Sequence, residues 1–226
     1  MPRFSANLGF LWPDRDLPAR IAAAGRAGFK AVELHFPYDV PAAATKAAVA
    51  AAGVELLGIN TAAGDSGAGL GAVPGREAEF RALAAQAIDY AAEAGGTAVH
   101  VMAGRPGAVD HEAAHAVFVQ NLEFATAKAA AHGLTILLEP LNPHDMPGYF
   151  YHRIEDAADM QDRVGADNLK LMFDAYHVGR AQGDVVTRLR ALFDRIGLVQ
   201  IAAVPSRAEP DEGEIAYRAF STNSTG

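Results

Sequence analysis

Three polar residues stand inside or directly after apolar runs in the second half of the sequence, and their side chains could hold a divalent cation. Glu139 follows the run Ile-Leu-Leu, Asp174 follows a phenylalanine, and Gln200 lies between Val199 and Ile201. A buried carboxylate is costly unless it is paired, hydrogen-bonded or metal-bound. Because the chain has no cysteine and oxygen donors dominate this set, Mg²⁺ or Mn²⁺ suits it better than zinc.

A divalent cation held between carboxylates would support proton transfer on a sugar-like substrate. The cation polarises a carbonyl and its adjacent hydroxyl, and a carboxylate moves a proton between their two carbons. Simpler interpretations stay open for each residue. Glu139 could form a salt bridge with a neighbouring strand, where Arg207 is the one basic candidate at a strand end, and Asp174 could cap a helix.

Further polar residues lie at the ends of predicted strands. His177 comes three residues after Asp174, so both side chains could face the same opening, although a lone histidine is more often structural. Asn60 and His100 could equally be hydrogen-bonded interior residues.

The elements that must position these residues alternate regularly along the chain. Short apolar runs with little polar alternation predict strands buried on both faces, and each intervening helical segment ends near a glycine. The predicted strands are RFSANLGF, KAVELHF, VELLGIN, TAVHVMA, TILLEPL, LKLMFDA and GLVQIAA. The predicted helices span about 17–27, 41–52, 76–94, 111–132, 153–164 and 184–194.

Repeated strand–helix units predict an α/β fold with a parallel sheet, either a closed barrel or an open doubly wound sheet. No strand-to-helix turn carries a nucleotide-binding glycine motif, which favours the barrel. The glycine-rich run 67–72 lies inside a long loop, which we interpret as flexible. In barrels the chemistry lies at the carboxyl ends of the strands, where the polar candidates are found.

Bulk composition excludes several classes of function. The net charge of −8 disfavours a nucleic-acid partner, because phosphate binding requires clustered Lys and Arg. No segment resembles a membrane span or a signal peptide. Together with the absence of cysteine, this predicts a cytoplasmic protein without a membrane partner. The sequence leaves open whether the chain forms a homo-oligomer.

Several stretches resemble the hydroxypyruvate isomerase family, within the larger group of xylose isomerase-like TIM barrels. The resemblance covers residues 1 to about 219 as one domain. The matching stretches are PRFSANLGFLW, GFKAVELHFPY, NTAAGD followed by PGRE, VHVMAG, ILLEPLNP, FDAYH and VQIAAVPSRAEPDEGEI.

The resemblance implies a (β/α)8 barrel that interconverts hydroxypyruvate and tartronate semialdehyde through an enediol-like intermediate. By position, Glu139 is then a catalytic acid/base and a metal ligand, and Asp174 and Gln200 are further ligands. His177 and Arg207 are implied substrate contacts, Arg207 suiting a carboxylate through its planar fork. His100 and Asn60 complete the predicted substrate-binding set.

One departure from the family pattern concerns the C-terminal part of the chain. The family's eighth strand, which carries a second catalytic glutamate, is expected after the GEI-x-Y stretch, and we expect it to be missing. The polar residues 220–226 read as a non-native tail. Deleting one T from a TTC-TTC codon pair would turn Phe-Phe-Asp-Glu-Leu-Asp-Arg into this Phe-Ser-Thr-Asn-Ser-Thr-Gly, so we expect a frameshift and impaired activity.

Other functions of the same barrel group stay open. A ketose 3-epimerase would use the same metal and carboxylates. The resemblance implies, however, that epimerases of this group have a histidine at the position of Gln200. An endonuclease IV-like protein would need several histidine ligands for zinc and a basic groove. An inactive remnant is the third alternative.

Overall fold

A computed structural model of the protein describes residues 4–217. The predicted tail at 220–226 lies outside the described residues, as do residues 218 and 219. All seven predicted strands are present within the described range. They are β1 (Ser5–Asn7), β2 (Ala31–Leu34), β3 (Glu55–Asn60), β4 (Ala98–His100), β5 (Thr135–Leu138), β6 (Leu169–Asp174) and β7 (Ile196–Gln200).

The helices follow the strands in the predicted order, with one addition. They are α1 (Leu17–Arg26), α2 (Ala42–Ala52), α3 (Glu77–Ala94), α4 (His111–Ala130), α5 (Ile154–Val164), α6 (Ala175–Ala181) and α7 (Val185–Ala191), the last followed by a 3-10 turn at Phe193–Arg195. The short helix α6 was not predicted. Among the described helices, none combines the length and apolarity needed to cross a bilayer.

Glycines end several of the helices. The residues that follow α2, α3 and α5 are Gly53, Gly95 and Gly165, and each adopts the left-handed conformation. A residue without Cβ takes this conformation without steric cost, so the chain turns sharply toward the next strand. The predicted positions of these helix ends are confirmed.

The strands form one parallel sheet in the sequential order β1 to β7. This order is that of a barrel wall, because a doubly wound sheet would reverse its strand order partway across. The fold is therefore an α/β barrel with a parallel sheet. Within residues 4–217 it has seven strands, and β1 and β7 each have one neighbour, as expected for a barrel that lacks its eighth strand.

Two apolar cores hold the layers together. The larger core lies between the sheet and the helices and contains Phe80, Phe118 and Phe173, all fully buried. The smaller core lies inside the curved sheet and consists of Ala98, Leu137 and Met172, with Leu198 packed against them. A packed interior of this kind leaves the carboxyl ends of the strands as the place for a site.

The loop 61–75, interpreted from the sequence as flexible, is packed against the sheet. Ala68 and Leu70 are buried, and Gly69 forms an antiparallel bridge with Ala103 after β4. Gly69 has φ +90°, and a Cβ there would lie 2.4 Å from the Met102 carbonyl oxygen. Glycine is required because the two backbones approach so closely.

Candidate active site

The polar candidates form one layer directly above the inner core. Four neighbouring strands each carry an inner-core residue and, two positions later, a polar residue. Because side chains two apart on a strand share a face, all four polar side chains point into the barrel. The pairs are Ala98 and His100 on β4, Leu137 and Glu139 at the end of β5, Met172 and Asp174 on β6, and Leu198 and Gln200 on β7.

Glu139 is buried at the centre of this layer. Its carboxylate oxygens lie 3.5 Å from Nδ1 of His100 and 3.9 Å from Nε2 of His177, so neither contact is a short ion pair. Burial raises the pKa of Glu139 well above its usual value, and the negative charge of Asp174 raises it further. A buried carboxyl group with a raised pKa is suited to act as an acid/base.

Asp174 caps a helix with one oxygen and presents the other to the site. Its Oδ1 accepts a 2.8 Å hydrogen bond from the backbone N–H of Tyr176, which makes it the N-cap of α6. Its Oδ2 faces the site, 3.7 Å from Nε2 of His177. Burial raises the pKa of Asp174, while the positive charge of Arg207 opposes that rise. Capping therefore fixes one oxygen and leaves the other free to bind a ligand.

His177 is buried beside both carboxylates. Its Nδ1 accepts a 3.1 Å hydrogen bond from the backbone N–H of Asn142, and its Nε2 lies 3.1 Å from Nη2 of Arg207. Burial lowers the pKa of His177 to about 3, and the charge of Arg207 acts in the same direction. The imidazole is therefore neutral at physiological pH.

Arg207 lies at the rim of the site between two aromatic rings. The guanidinium carbon is 4.7 Å from the ring centroid of Phe10 and 4.8 Å from that of Tyr176. Its Nη1 lies 3.4 Å from Asp145, and its backbone φ of 59° places it in a tight turn after β7. The rings hold the plane of the guanidinium at the entrance, where a ligand carboxylate could meet it.

The amide nitrogen of Gln200 is hydrogen-bonded to a third buried carboxylate, that of Glu33. Its Nε2 donates a 2.6 Å hydrogen bond to Oε2 of Glu33 on β2, and Ser5 on β1 donates a short hydrogen bond to the other oxygen. Burial raises the pKa of Glu33, and these two hydrogen bonds lower it in part. The structure thus places Gln200 in the polar layer but couples it to a carboxylate across the barrel.

Glu33 is the site residue that the sequence reasoning missed. It stands between Val32 and Leu34 in an apolar strand, which is the same alternation that drew attention to Gln200. A register shift in the pairing with β3 falls between Val32 and Glu33, and such irregularities often redirect a side chain beside a site.

His100 and Asn60 lie in the same layer on adjacent strands. Nδ1 of His100 is 3.2 Å from Oδ1 of Asn60, and burial lowers the pKa of His100 to about 3. Both neighbours of Nδ1, Asn60 and Glu139, offer oxygen atoms, so Nδ1 carries the proton and donates. These two residues are hydrogen-bonded in the way the interior interpretation expected, yet one of them faces Glu139 directly.

The donor set fits a divalent cation. Ligand atoms of Glu139, Asp174 and His177 lie within 4.8 Å of one another, and all three residues are buried. Burial raises the pKa of both carboxyl groups, so a bound cation would supply the positive charge that their ionised forms lack. Oxygen donors in this arrangement suit a hard cation such as Mg²⁺ or Mn²⁺.

Comparison with known proteins was consistent across sequence and structure. A family model described as a xylose isomerase-like TIM barrel matches residues 21–222. A 2-oxo-tetronate isomerase of Cupriavidus necator is 45% identical over 96% of this chain and 85% of that protein. The hydroxypyruvate isomerase of Escherichia coli is 38% identical over 96% of this chain and 86% of that protein.

A solved structure gives the same architecture. The structure titled AP endonuclease, family 2, from Brucella melitensis superimposes with a TM-score of 0.94 at 36% identity, covering 97% of this chain and 86% of that one.

Proposed function

From the premise that this chain belongs to the xylose isomerase-like TIM barrel family, whose similar members named above include two isomerases, we propose that it interconverts hydroxypyruvate and tartronate semialdehyde. The observation that carries this proposal is the buried pair Glu139 and Asp174, whose carboxyl oxygens lie within 4.8 Å of each other and whose pKa values are raised. Such a pair suits proton transfer on a small 2-oxo acid.

Glu139 acts as the acid/base in this proposal. Its carboxylate removes a proton from C3 of hydroxypyruvate. The electron pair of that C–H bond forms the C2–C3 double bond, and the π pair of the C2 carbonyl moves to the C2 oxygen. The C2–C3 π pair then takes the proton back from Glu139 at C2, while the proton of the C3 hydroxyl passes to the C2 oxygen and its O–H electron pair forms the C3 carbonyl. No oxidant or reductant is consumed, because one carbon is reduced as its neighbour is oxidised.

Glu139, Asp174 and Gln200 would hold the divalent cation, which when bound supplies Lewis-acid polarisation of the two substrate oxygens. Asp174 offers Oδ2 because Oδ1 is committed to the helix cap. Gln200 offers Oε1 because its Nε2 is committed to Glu33.

Arg207 and His177 would hold the rest of the substrate. The guanidinium of Arg207 suits the substrate carboxylate, and the aromatic rings of Phe10 and Tyr176 fix its plane. His177, neutral and buried, would contact a substrate oxygen beside the carboxylates. His100 and Asn60 would bound the floor of the same pocket.

Two other functions are weaker for specific reasons. An endonuclease would need basic residues to neutralise nucleic-acid phosphates, whereas the chain has a net charge of −8. A ketose epimerase could share the carboxylates and the cation, but this chain has Gln200 where the resemblance implies a histidine in epimerases. The 45% identical relative, named for a four-carbon 2-oxo acid, makes 2-oxo-tetronate the nearest competing substrate.

Turnover assays with the purified chain test the proposal. Hydroxypyruvate, 2-oxo-tetronate and a ketohexose are supplied separately with Mn²⁺ or Mg²⁺, and products are followed by NMR. We expect isomerisation of hydroxypyruvate that EDTA abolishes and added cation restores. Turnover of the ketohexose alone would replace the proposal with an epimerase, and turnover of 2-oxo-tetronate alone would replace the substrate.

A further inference from the structure

The hydrogen bonds around Asn142 determine which nitrogen of His177 carries its proton. Oδ1 of Asn142 accepts hydrogen bonds from the backbone N–H groups of His144 at 3.1 Å and Asp145 at 3.0 Å. This oxygen is therefore committed to the turn that follows. The Asn142 amide nitrogen must then be the group that faces His177, and it lies 2.8 Å from Nδ1.

Nδ1 of His177 consequently receives two donors from one residue. The backbone N–H of Asn142 donates to it at 3.1 Å, and the side-chain amide donates at 2.8 Å. Both residues are buried. A nitrogen that accepts carries no proton, and a neutral imidazole has a single N–H, so the proton of His177 lies on Nε2.

Arg207 offers a competing contact, with Nη2 at 3.1 Å from Nε2. An arginine only donates, so a hydrogen bond here would require the proton to lie on Nδ1. That arrangement would point the Nδ1 proton at the two buried donors of Asn142 and leave them without an acceptor. Arg207 is about one-third exposed and also lies near Asp145 and Asp174. The two buried Asn142 donors, rather than Arg207, therefore determine the tautomer of His177.

We propose that Asn142 holds His177 as the tautomer protonated on Nε2, so that His177 serves the site as a neutral hydrogen-bond donor rather than as a metal ligand. Nε2 could bind a cation only by giving up this proton to Nδ1, where both Asn142 donors stand. The Nε2–H group faces Oε1 of Glu139 at 3.9 Å and Oδ2 of Asp174 at 3.7 Å. These distances leave room for an oxygen that accepts from it.

The acceptor in the working enzyme is a substrate oxygen, and this part rests on the isomerase function proposed above. As the enediol forms, negative charge grows on the former carbonyl oxygen. Nε2–H of His177 and the guanidinium of Arg207 are two donors 3.1 Å apart, and one oxygen between them could accept from both. Asn142 is then a positioning residue that acts through His177.

Nuclear magnetic resonance reads the tautomer directly. A long-range ¹H–¹⁵N spectrum of the ¹⁵N-histidine-labelled chain distinguishes protonated from unprotonated ring nitrogens, and the His177→Asn variant identifies the His177 signals by their disappearance. We expect an unprotonated Nδ1 and a protonated Nε2 at neutral pH. A protonated Nδ1 in the unsubstituted chain would overturn the proposal.

The Asn142→Asp variant tests the role of the side chain. A carboxylate keeps an oxygen for the N–H groups of His144 and Asp145, so the turn is preserved, but it offers Nδ1 an acceptor in place of a donor. We expect the proton of His177 to move to Nδ1 and kcat to fall by about 10²-fold with little change in KM. An unchanged spectrum in a folded Asn142→Asp variant would contradict the assignment.

Metal binding provides a readout that needs no turnover. In His177→Asn, Oδ1 takes the place of Nδ1 and still accepts from Asn142, while Nε2 is removed. Calorimetric titration with Mn²⁺ should give nearly the affinity of the unsubstituted chain, whereas Asp174→Asn should lose affinity. A comparable loss in His177→Asn would make His177 a ligand and overturn the proposal. If no substrate is turned over, the isomerase proposal fails while the spectrum and the titration still decide the tautomer.

Discussion

The two buried glutamates of the site differ in how their charge is compensated. Glu33 receives hydrogen bonds from Ser5 and from Gln200, whereas Glu139 faces two histidines at 3.5 and 3.9 Å. A carboxylate with two short donors is held in place, and one without them can exchange protons or bind a cation. We therefore assign positioning to Glu33 and chemistry to Glu139.

Replacing Glu33 with glutamine should alter the pH dependence of stability. The pKa of Glu33 is raised above 4.5 in the folded chain. At pH values between the pKa of the unfolded chain and that of the folded chain, the folded state therefore binds more protons than the unfolded state. The stability of the unsubstituted chain then falls as pH rises there, by at most about 1.4 kcal/mol per pH unit. The glutamine of Glu33→Gln does not titrate. The free energy of unfolding of this variant, relative to that of the unsubstituted chain, should therefore increase as pH rises.

Urea unfolding in EDTA at several pH values measures this difference. Glu55→Gln, at the exposed start of β3, is the matched control and should show no such trend. A Glu33→Gln curve parallel to that of the unsubstituted chain would mean that Glu33 does not titrate differently on folding.

The contact between Gln200 and Glu33 makes a second prediction at this scale. Gln200→Glu replaces the donor with a second carboxylate beside Glu33 and should destabilise the chain at neutral pH. Adding Glu33→Gln restores a donor–acceptor pair, so the two changes should couple by about 0.5–3 kcal/mol. Thermal unfolding of both single variants and the double variant measures the coupling, and strict additivity would show that the two side chains do not interact.

Alternation within strands accounts for how much of the site could be predicted. Gln200 was found because its neighbours on β7 are apolar, and the identical pattern around Glu33 on β2 went unused. The hydrogen bond between them spans 167 residues, and no local pattern encodes which partner a side chain reaches across a barrel.

At the scale of elements, the junction between β6 and α6 holds the largest share of the site. Asp174 ends the strand and caps the helix, and His177 lies in the first turn of that helix. The apolar run predicted β6 correctly. Helix α6 has seven residues, too few for the periodicity that revealed the longer helices. Its existence depends on a cap that the sequence analysis considered only as an alternative to metal binding.

Two substitutions separate the roles of Asp174. Asp174→Asn keeps an oxygen for the backbone N–H of Tyr176, whereas Asp174→Ala removes the cap. We expect Asp174→Ala to be about 0.5–2 kcal/mol less stable than Asp174→Asn, with both failing to bind Mn²⁺. Denaturant unfolding in EDTA measures the first difference and calorimetry the second. Equal stability of the two variants would show that the cap contributes nothing.

At the scale of the whole molecule, the sequential strand order was predictable because each strand–helix unit is short and right-handed crossovers place consecutive parallel strands side by side. The described residues leave β1 and β7 each with one neighbour. Unpaired edges expose backbone donors and acceptors that a further strand would satisfy.

A chimera tests whether a strand paired with the edge of the sheet raises the rate of isomerisation. The C-terminal segment of the Cupriavidus necator relative is joined after residue 217, and a control carries a glycine–serine segment of equal length. We expect faster isomerisation by the chimera than by the control, because a paired edge should hold Gln200 on β7 more firmly. Equal rates in two folded proteins would remove the sequence-based prediction of impaired turnover.

In the proposed reaction, Glu139 moves the proton of a metal-dependent isomerisation. The most direct measurement compares Glu139→Gln with Glu123→Gln, an exposed substitution on α4, by following hydroxypyruvate conversion at high enzyme concentration with Mn²⁺. Loss of a positioned acid/base group should lower the rate of Glu139→Gln by about 10²–10⁴-fold, while Glu123→Gln keeps the rate of the unsubstituted chain. Equal rates for the two folded variants would contradict the account.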